Sequence, residues 1–242
     1  MRIILFFALI VSTIAATAQN SIKFAFKAGD GDVVLNEVRY TSARGLRYGI
    51  SQCQYFVSDI AVKQHDGNVR ELPGTVHYVD IEIPKTLRWT PADDFSLQNA
   101  DTLYFTFGLD SASNRSYRFR NPPENLMFWP DYLGGGYHYM KTNIIYIAPD
   151  GQYSAFNCHI GRGQVYGDDG EPKSYIENSF RVAVPINLDN DGDAVITLDI
   201  SRIFDTPTPA LFTDYRGIMN NQQAMSLFIG NIKTAFVADT RR

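Results

Sequence analysis

LMFWPDYLGGGYHYMKTNIIYIAPDGQYSAFNCHIGRG, residues 126–163, holds the two segments whose alternation decides the fold. Apolar and polar side chains alternate over 137–147 and again over 152–160, and Ala148-Pro149-Asp150-Gly151 between them reads as a turn. Period two with a turn in the middle predicts a β-hairpin. With a two- or four-residue loop, opposed residues have numbers summing to 301 or 299. Either register gathers Ile145, Ile147, Phe156, Cys158 and Ile160 on a core face, and His138, Met140, Thr142, Asn157 and His159 on the other. A three-residue loop would flip one strand and undo the grouping.

The second face joins two imidazoles to a thioether, a donor set that suits copper(I) and disfavours magnesium or calcium. His138, His159 and Met140 are therefore candidate metal ligands. Alternate residues of one strand stand ~7 Å apart, so convergence relies on side-chain reach. The same spacing also describes polar residues on a solvated sheet face with Met140 packed locally, and both readings stay open. Trp129, ahead of Pro130 and the run Gly134-Gly135-Gly136, reads as a cap on the core. The glycines allow either close backbone approach or a wide turn. They make no phosphate loop, since no Gly-Lys-Ser/Thr ending or helix follows.

Outward from the hairpin the period of two persists. SIKFAFKA (21–28) sets Ile22, Phe24 and Phe26 against Lys23 and Lys27. Further strands are expected near 52–63, 76–83, 102–109, 179–188 and 194–200, separated by turn signals at Asp66-Gly67, Pro73-Gly74, Asp150-Gly151 and Asp191-Gly192. Fourteen Tyr and sixteen Phe suit sheets better than helices. Seven or more strands predict an all-β fold, an antiparallel β-sandwich. Residues 110–128 lack periodicity and read as a long loop of the kind that is functional or mobile. At the end the period changes. Met225, Phe228, Ile229, Ile232 and Phe236 recur at helical spacing after Asn220 or Asn221 as N-cap, so 221–234 is expected to be an amphipathic helix packed on the sandwich.

Residues 1–18 read as a secretory signal peptide, with Arg2, an apolar run from Ile3 to Ile14, and Ala16-Thr17-Ala18 as the cleavage site. The run is short for a membrane span. The remaining 19–242 is expected to form a single domain, periplasmic or secreted, beginning at Gln19 or Asn20. Without Arg2, the 22 Lys and Arg become 21 against 26 Asp and Glu, and the net charge moves from −4 to −5. That balance speaks against nucleic acid and anionic membranes as partners.

Cys53 and Cys158, the two cysteines of a chain expected to be exported, predict a disulfide between the strands that carry them; two buried free thiols are the alternative. Asn187, Asp189, Asp191 and Gly192 imitate the start of a calcium loop, but Leu198 stands where a bidentate Glu belongs, and a hairpin turn accounts for them. Asp93-Asp94 reads as a solvated turn, His65 as exposed, and His77 as a cross-strand packing residue or a minor ligand candidate. No nucleophile elbow, His-Glu-x-x-His, Cys-x-x-Cys or nucleotide loop occurs, and the protein is not expected to be an enzyme.

The motifs YFVSDIAV (55–62), HYVD (77–80), FTFGLDSASN (105–114), LMFWPDYLGGGYHYMK (126–141), FNCHIG (156–161) and IFD (203–205) occur in an order that resembles the MbnP-like copper-binding proteins, exported β proteins named for a member that accompanies methanobactin systems. The resemblance spans most of the chain and implies an extracytoplasmic β-sandwich that binds copper. In some members a partner di-haem enzyme oxidises a tryptophan to kynurenine, which helps histidines hold the ion. Trp129 and His159 fall in the matching motifs. The sequence departs from the family pattern in places: the second aromatic of the tryptophan motif is Tyr132, one place late, extra glycines follow it, and Met219-Asn220 stands where a histidine is expected after methionine. The expected function is copper handling with His159, His138, Met140 and Trp129 as the site. The alternative is a metal-free binding module that uses its tyrosine-rich surface and the 110–128 loop. A third reading, a glycan-active sandwich, requires two carboxylates close together in a cleft.

Overall fold

The computed structural model describes residues 20–91, 95–215 and 217–238. The expected signal peptide and the Asp93-Asp94 pair lie outside the described residues. In chain order the strands are β1 (Ile22–Ala28), β2 (Gly31–Asp32), β3 (Tyr40–Thr41), β4 (Arg47–Gln64), β5 (Val69–Asp80), β6 (Arg88–Trp89), β7 (Ala100–Phe107), β8 (Met140–Ile147), β9 (Tyr153–Ile160), β10 (Gly163–Tyr166), β11 (Pro172–Ile176), β12 (Phe180–Pro185), β13 (Ala194–Asp199) and β14 (Phe236–Ala238). Two α-helices accompany them, α1 (Ile200–Asp205) and α2 (Gln222–Ala235).

The strands form the expected sandwich. One sheet runs β14-β13-β1-β2, with β6 also beside β1; the second runs β12-β7-β4-β8-β9, and β10 with β11 makes a separate two-stranded ribbon. Strand β4, 18 residues long, is the spine of the second sheet. It carries β3 and β5 along one edge and β8 and then β7 along the other. The strands of that sheet pair antiparallel with one another, whereas in the smaller one β1 lies parallel to β13. The alternation of β1 turns Ile22, Phe24 and Phe26 inward. The rings of Phe24 and Phe26 meet Tyr55 of β4 edge-on, and Phe236 of β14 meets Tyr55 and Phe105 in the same way. These contacts are the seam between the sheets, and edge-to-face packing is the favoured geometry for such rings.

Asn221 caps α2 by accepting from the Ala224 N–H, and Met225, Phe228, Ile229 and Ile232 are buried beneath it as their spacing predicts. Pro73-Gly74 does not end a strand. It lies within β5 opposite Asp59, where the β4–β5 register shifts, and Gly74 takes φ +72° while its N–H donates to Asp59. It is a bulge rather than a turn.

The expected disulfide is corrected. Cys53 of β4 and Cys158 of β9 are buried free thiols, each directly opposite Thr142 of β8. One strand lies between them, so their backbones are separated by two interstrand spacings, ~9.6 Å. A disulfide tolerates less than about 7 Å.

The hairpin grouping is corrected as well. Met140 pairs with Ile160, Lys141 with His159 and Thr142 with Cys158, so opposed numbers sum to 300. The Ala148 N–H donates to the Gln152 carbonyl, which leaves a three-residue loop with Gly151 at φ +83°. A type I turn closed by a left-handed glycine gives this odd count. The core face is therefore Met140, Thr142, Ile144, Tyr146, Phe156, Cys158 and Ile160, while Ile145 and Ile147 fall on the outer side.

A buried imidazole pair beside Trp129

On the outer face, β8 and β9 place Lys141, Asn143 and His159 together. His138 would belong to the core face if alternation continued backwards from Met140. It does not, because pairing with β9 ends at Tyr139: its N–H donates to Ile160, and its carbonyl accepts from Phe56 of β4. Tyr137 then bridges Phe128 instead. This change of partner turns His138 to the outer side, and its ring lies 5.1 Å from that of His159, perpendicular to it. The Trp129 indole meets His138 edge-on at 4.8 Å. Two imidazoles and the indole thus form one cluster. Met140 does not join it: its side chain is buried in the core on the opposite side of the sheet, and the thioether drops out of the candidate ligand set.

Each imidazole has one nitrogen fixed by an acceptor. His138 Nδ1 lies 3.0 Å from the Met127 carbonyl, so that nitrogen carries the proton. Its Nε2 is buried and has no hydrogen-bond partner among the described residues. His159 Nε2 lies 2.8 Å from Asn143 Oδ1 and donates to it. The amide is oriented in turn by Gln52, whose Oε1 accepts from Asn143 Nδ2 at 2.9 Å. The chain Gln52–Asn143–His159 thereby leaves the lone pair of His159 on Nδ1. A histidine that donates one N–H to a fixed oxygen and keeps the other nitrogen bare is arranged as metal-ligating histidines are.

Both rings are neutral. Burial, the His159 ring and Lys141 push His138 down to about 3, against support from the Met127 carbonyl. Burial, and then the Lys141 charge, push His159 to about 4. The Lys141 ammonium donates to the Leu126 carbonyl at 2.7 Å. Adjacent carbonyls of the short 3₁₀ turn Glu124–Met127 therefore hold Lys141 and His138, and this segment roofs the pair.

Trp129 is fully buried, and its Nε1 donates to the Leu133 carbonyl. A β-carbon added to Gly161 would stand 2.5 Å from the indole, so the bare glycine is what lets the ring lie on the strand end. The 110–128 loop is tied to the cluster from the other side. Asn114, buried, accepts from the Tyr137 N–H and donates to the Tyr139 hydroxyl. Gly136, at φ +86°, lies against the Asn114 amide and has no room for a side chain. Lys141, Asn143 and Gln52 were not singled out from the sequence. With the hairpin register one residue off, both β8 residues fell on the core face.

Among the described residues the other polar groups make no comparable site. Asp189, Asp191 and Asp193 cluster in the turn before β13, but the Lys23 ammonium sits among them at 2.7, 2.9 and 3.2 Å, and Arg88 reaches Asp193 at 2.9 Å. The ammonium occupies the place of the cation that the calcium-loop pattern evokes. His77 is stacked between Phe24 and Trp89, at 5.5 and 5.1 Å, and serves packing. His65 is exposed beside Asp101.

A family model described as MbnP matches residues 17–224. Among solved structures, MbnP from Methylosinus trichosporium is similar with a TM-score of 0.55 at 18% identity, over 76% of this chain and 76% of that chain; at that identity the likeness speaks for the fold alone. Curated protein sequences give no match.

Proposed function

The chain belongs to the MbnP family, and on that premise we propose that it is an exported copper-handling protein whose ion is held by His138 and His159 beside the Trp129 indole. The observation that carries the reading is the buried His138 Nε2, left without a hydrogen-bond partner next to a second neutral imidazole. An orphaned polar atom in a fully enclosed place is costly unless something binds it. The donor set fits copper: two neutral nitrogen donors suit a borderline-soft cation, and among the described residues no carboxylate joins the pair as a magnesium or calcium site would ask. Copper there would be cargo, held for transfer, and no catalytic role is assigned to the protein.

In this reading Trp129 is the residue that a di-haem partner enzyme oxidises to kynurenine, since its ring meets that of His138 edge-on at 4.8 Å. Its opened ring would present an amine and a carbonyl beside the imidazole. The setting is periplasmic or extracellular; among the described residues no helix is long and apolar enough to cross a membrane.

Anaerobic titration with copper(I) against a competing chelator tests the site. The wild type takes up one equivalent, and His138→Ala and His159→Ala each lose it while Met140→Leu retains it. Uptake by both alanine variants equal to wild type would remove the assignment. Intact-mass measurement of protein from its native host, localised by peptide mapping, tests the oxidation of Trp129.

A second reading is favoured by one feature. A hollow of about 400 Å³ is lined by Tyr132, Tyr166, Glu171 and Met219 among others, and offers exposed aromatic faces to a ligand. In a metal-free binding module this hollow would be the site. Tyr132→Ala with Tyr166→Ala would then abolish ligand capture, whereas the copper reading expects that pair of changes to leave uptake intact.

A further inference from the structure

Lys141 is the cation built into the wall of the imidazole cluster. Its backbone is directly opposite His159, a pairing that sets the two Cβ atoms ~5 Å apart. Its ammonium rests on the Leu126 carbonyl, next to the Met127 carbonyl that holds the His138 ring. The ammonium therefore sits at the solvent-facing rim of the cluster, near enough that burial and its charge together hold both imidazoles below their ordinary pKa. On the other flank of Lys141 stands Gln54, a neutral amide committed to Asp80, and Asp80 is already engaged by Gln54, Tyr78 and the Glu82 N–H. No carboxylate pairs with Lys141 among the described residues, and burial lowers its pKa with no acidic group opposing the shift.

A donor pair that is neutral, with a fixed positive charge beside it, is an unusual wall for a cation site. Most sites for divalent ions supply anionic ligands or leave anionic groups nearby. Coulomb repulsion scales with the charge of the ion, so a divalent ion is opposed twice as strongly as a monovalent one at the same position. Toward the buried His138 and half-buried His159 rings that difference is screened less than between two charges in open solvent.

We propose that Lys141 makes the His138–His159 pair discriminate by ion charge, so that a singly charged soft cation enters and doubly charged ions are refused. The proposal rests on the copper reading of this pair and assigns it a selectivity residue. Lys141 acts here through its field and through the roof segment it holds; it is a positioning and specificity residue, not a ligand.

The test uses two redox-inert ions with filled d shells, silver(I) and zinc(II), titrated into the full-length protein and its variants. Wild type binds silver(I) in preference to zinc(II). Lys141→Gln, and Lys141→Met should the first variant fold poorly, remove the charge. They raise zinc(II) affinity relative to silver(I) on the order of tenfold or more, the size expected for a nearby charge in a protein-like medium. Lys141→Arg keeps the charge and keeps the wild-type ratio. A side chain that merely pinned the roof would change both affinities by the same factor, so an unchanged ratio in the neutral variants overturns the proposal and leaves the site reading standing. Absence of silver(I) binding in wild type and in every variant overturns both.

Discussion

His138 and His159 carry the account because each has one nitrogen committed and one bare. Their neutrality also has a consequence for stability. An unfolded histidine takes up a proton near pH ~6.5, whereas the folded protein refuses it until about 3 at His138 and about 4 at His159. The unfolded state therefore binds more protons in that window. Stability is complete above pH ~6.5 and is lost as pH falls toward the folded values, by at most roughly 1.4 kcal/mol per pH unit for each histidine. Urea unfolding at pH 7.5, 6 and 5 is expected to show a falling midpoint, and the double variant His138→Gln, His159→Gln to fall less steeply. A residual slope belongs to His77, which burial also holds below its ordinary value. Equal slopes in the two proteins would refute the assignment. At Gly161 the expected result is steric: Gly161→Ala forces the Trp129 indole to shift and costs about 1–3 kcal/mol, read as a lower unfolding midpoint with altered tryptophan fluorescence. Trp129, His138 and His159 were legible in the sequence as a group. Met140 was wrongly added, because its place depends on a register that residue types alone do not set.

That register is a property of the hairpin. Alternation in 137–147 and 152–160 named the strands β8 and β9 within a few residues, but a loop of three residues rather than two or four moved Met140 and the isoleucines to opposite faces. Pro149-Asp150-Gly151 is compatible with each count, and only the left-handed Gly151 closing the turn decides it. His138 reached the correct side by a second irregularity that no period-two pattern contains, the switch of partner at Tyr139. Two deviations cancelled for His138 and did not for Met140. The 110–128 segment was legible as a loop and not as a clamp, since its anchor, Asn114, is an ordinary polar residue until its neighbours are known. Asn114→Ala removes acceptor and donor from buried partners and is expected to cost about 2–4 kcal/mol, with accelerated amide exchange in the 134–139 backbone. Exchange unchanged from wild type would show that the loop does not hold this segment.

At the scale of the molecule the sandwich and its terminal helix followed from periodicity, turn residues and an asparagine N-cap, which are local signals. The cysteine pairing and the parallel β1–β13 contact are set by strand order, which local signals do not carry. Because β8 separates them, Cys53 and Cys158 are expected to resist alkylation in the folded protein and both to react once it is unfolded without reductant; burial pushes the Cys53 thiol up to about 12 and Cys158 higher still. Failure of the unfolded, unreduced chain to take up two labels would show a bridge. Strand order also brings the 126–129 segment over β8 and β9 and makes the enclosed site. The most direct test of that site is ¹⁵N NMR of histidine-labelled protein titrated with silver(I). Silver–nitrogen coupling is expected on Nε2 of His138 and Nδ1 of His159, while the other nitrogen of each ring keeps its proton. Coupling on the opposite nitrogens, or none on either ring at stoichiometric silver, would contradict the account.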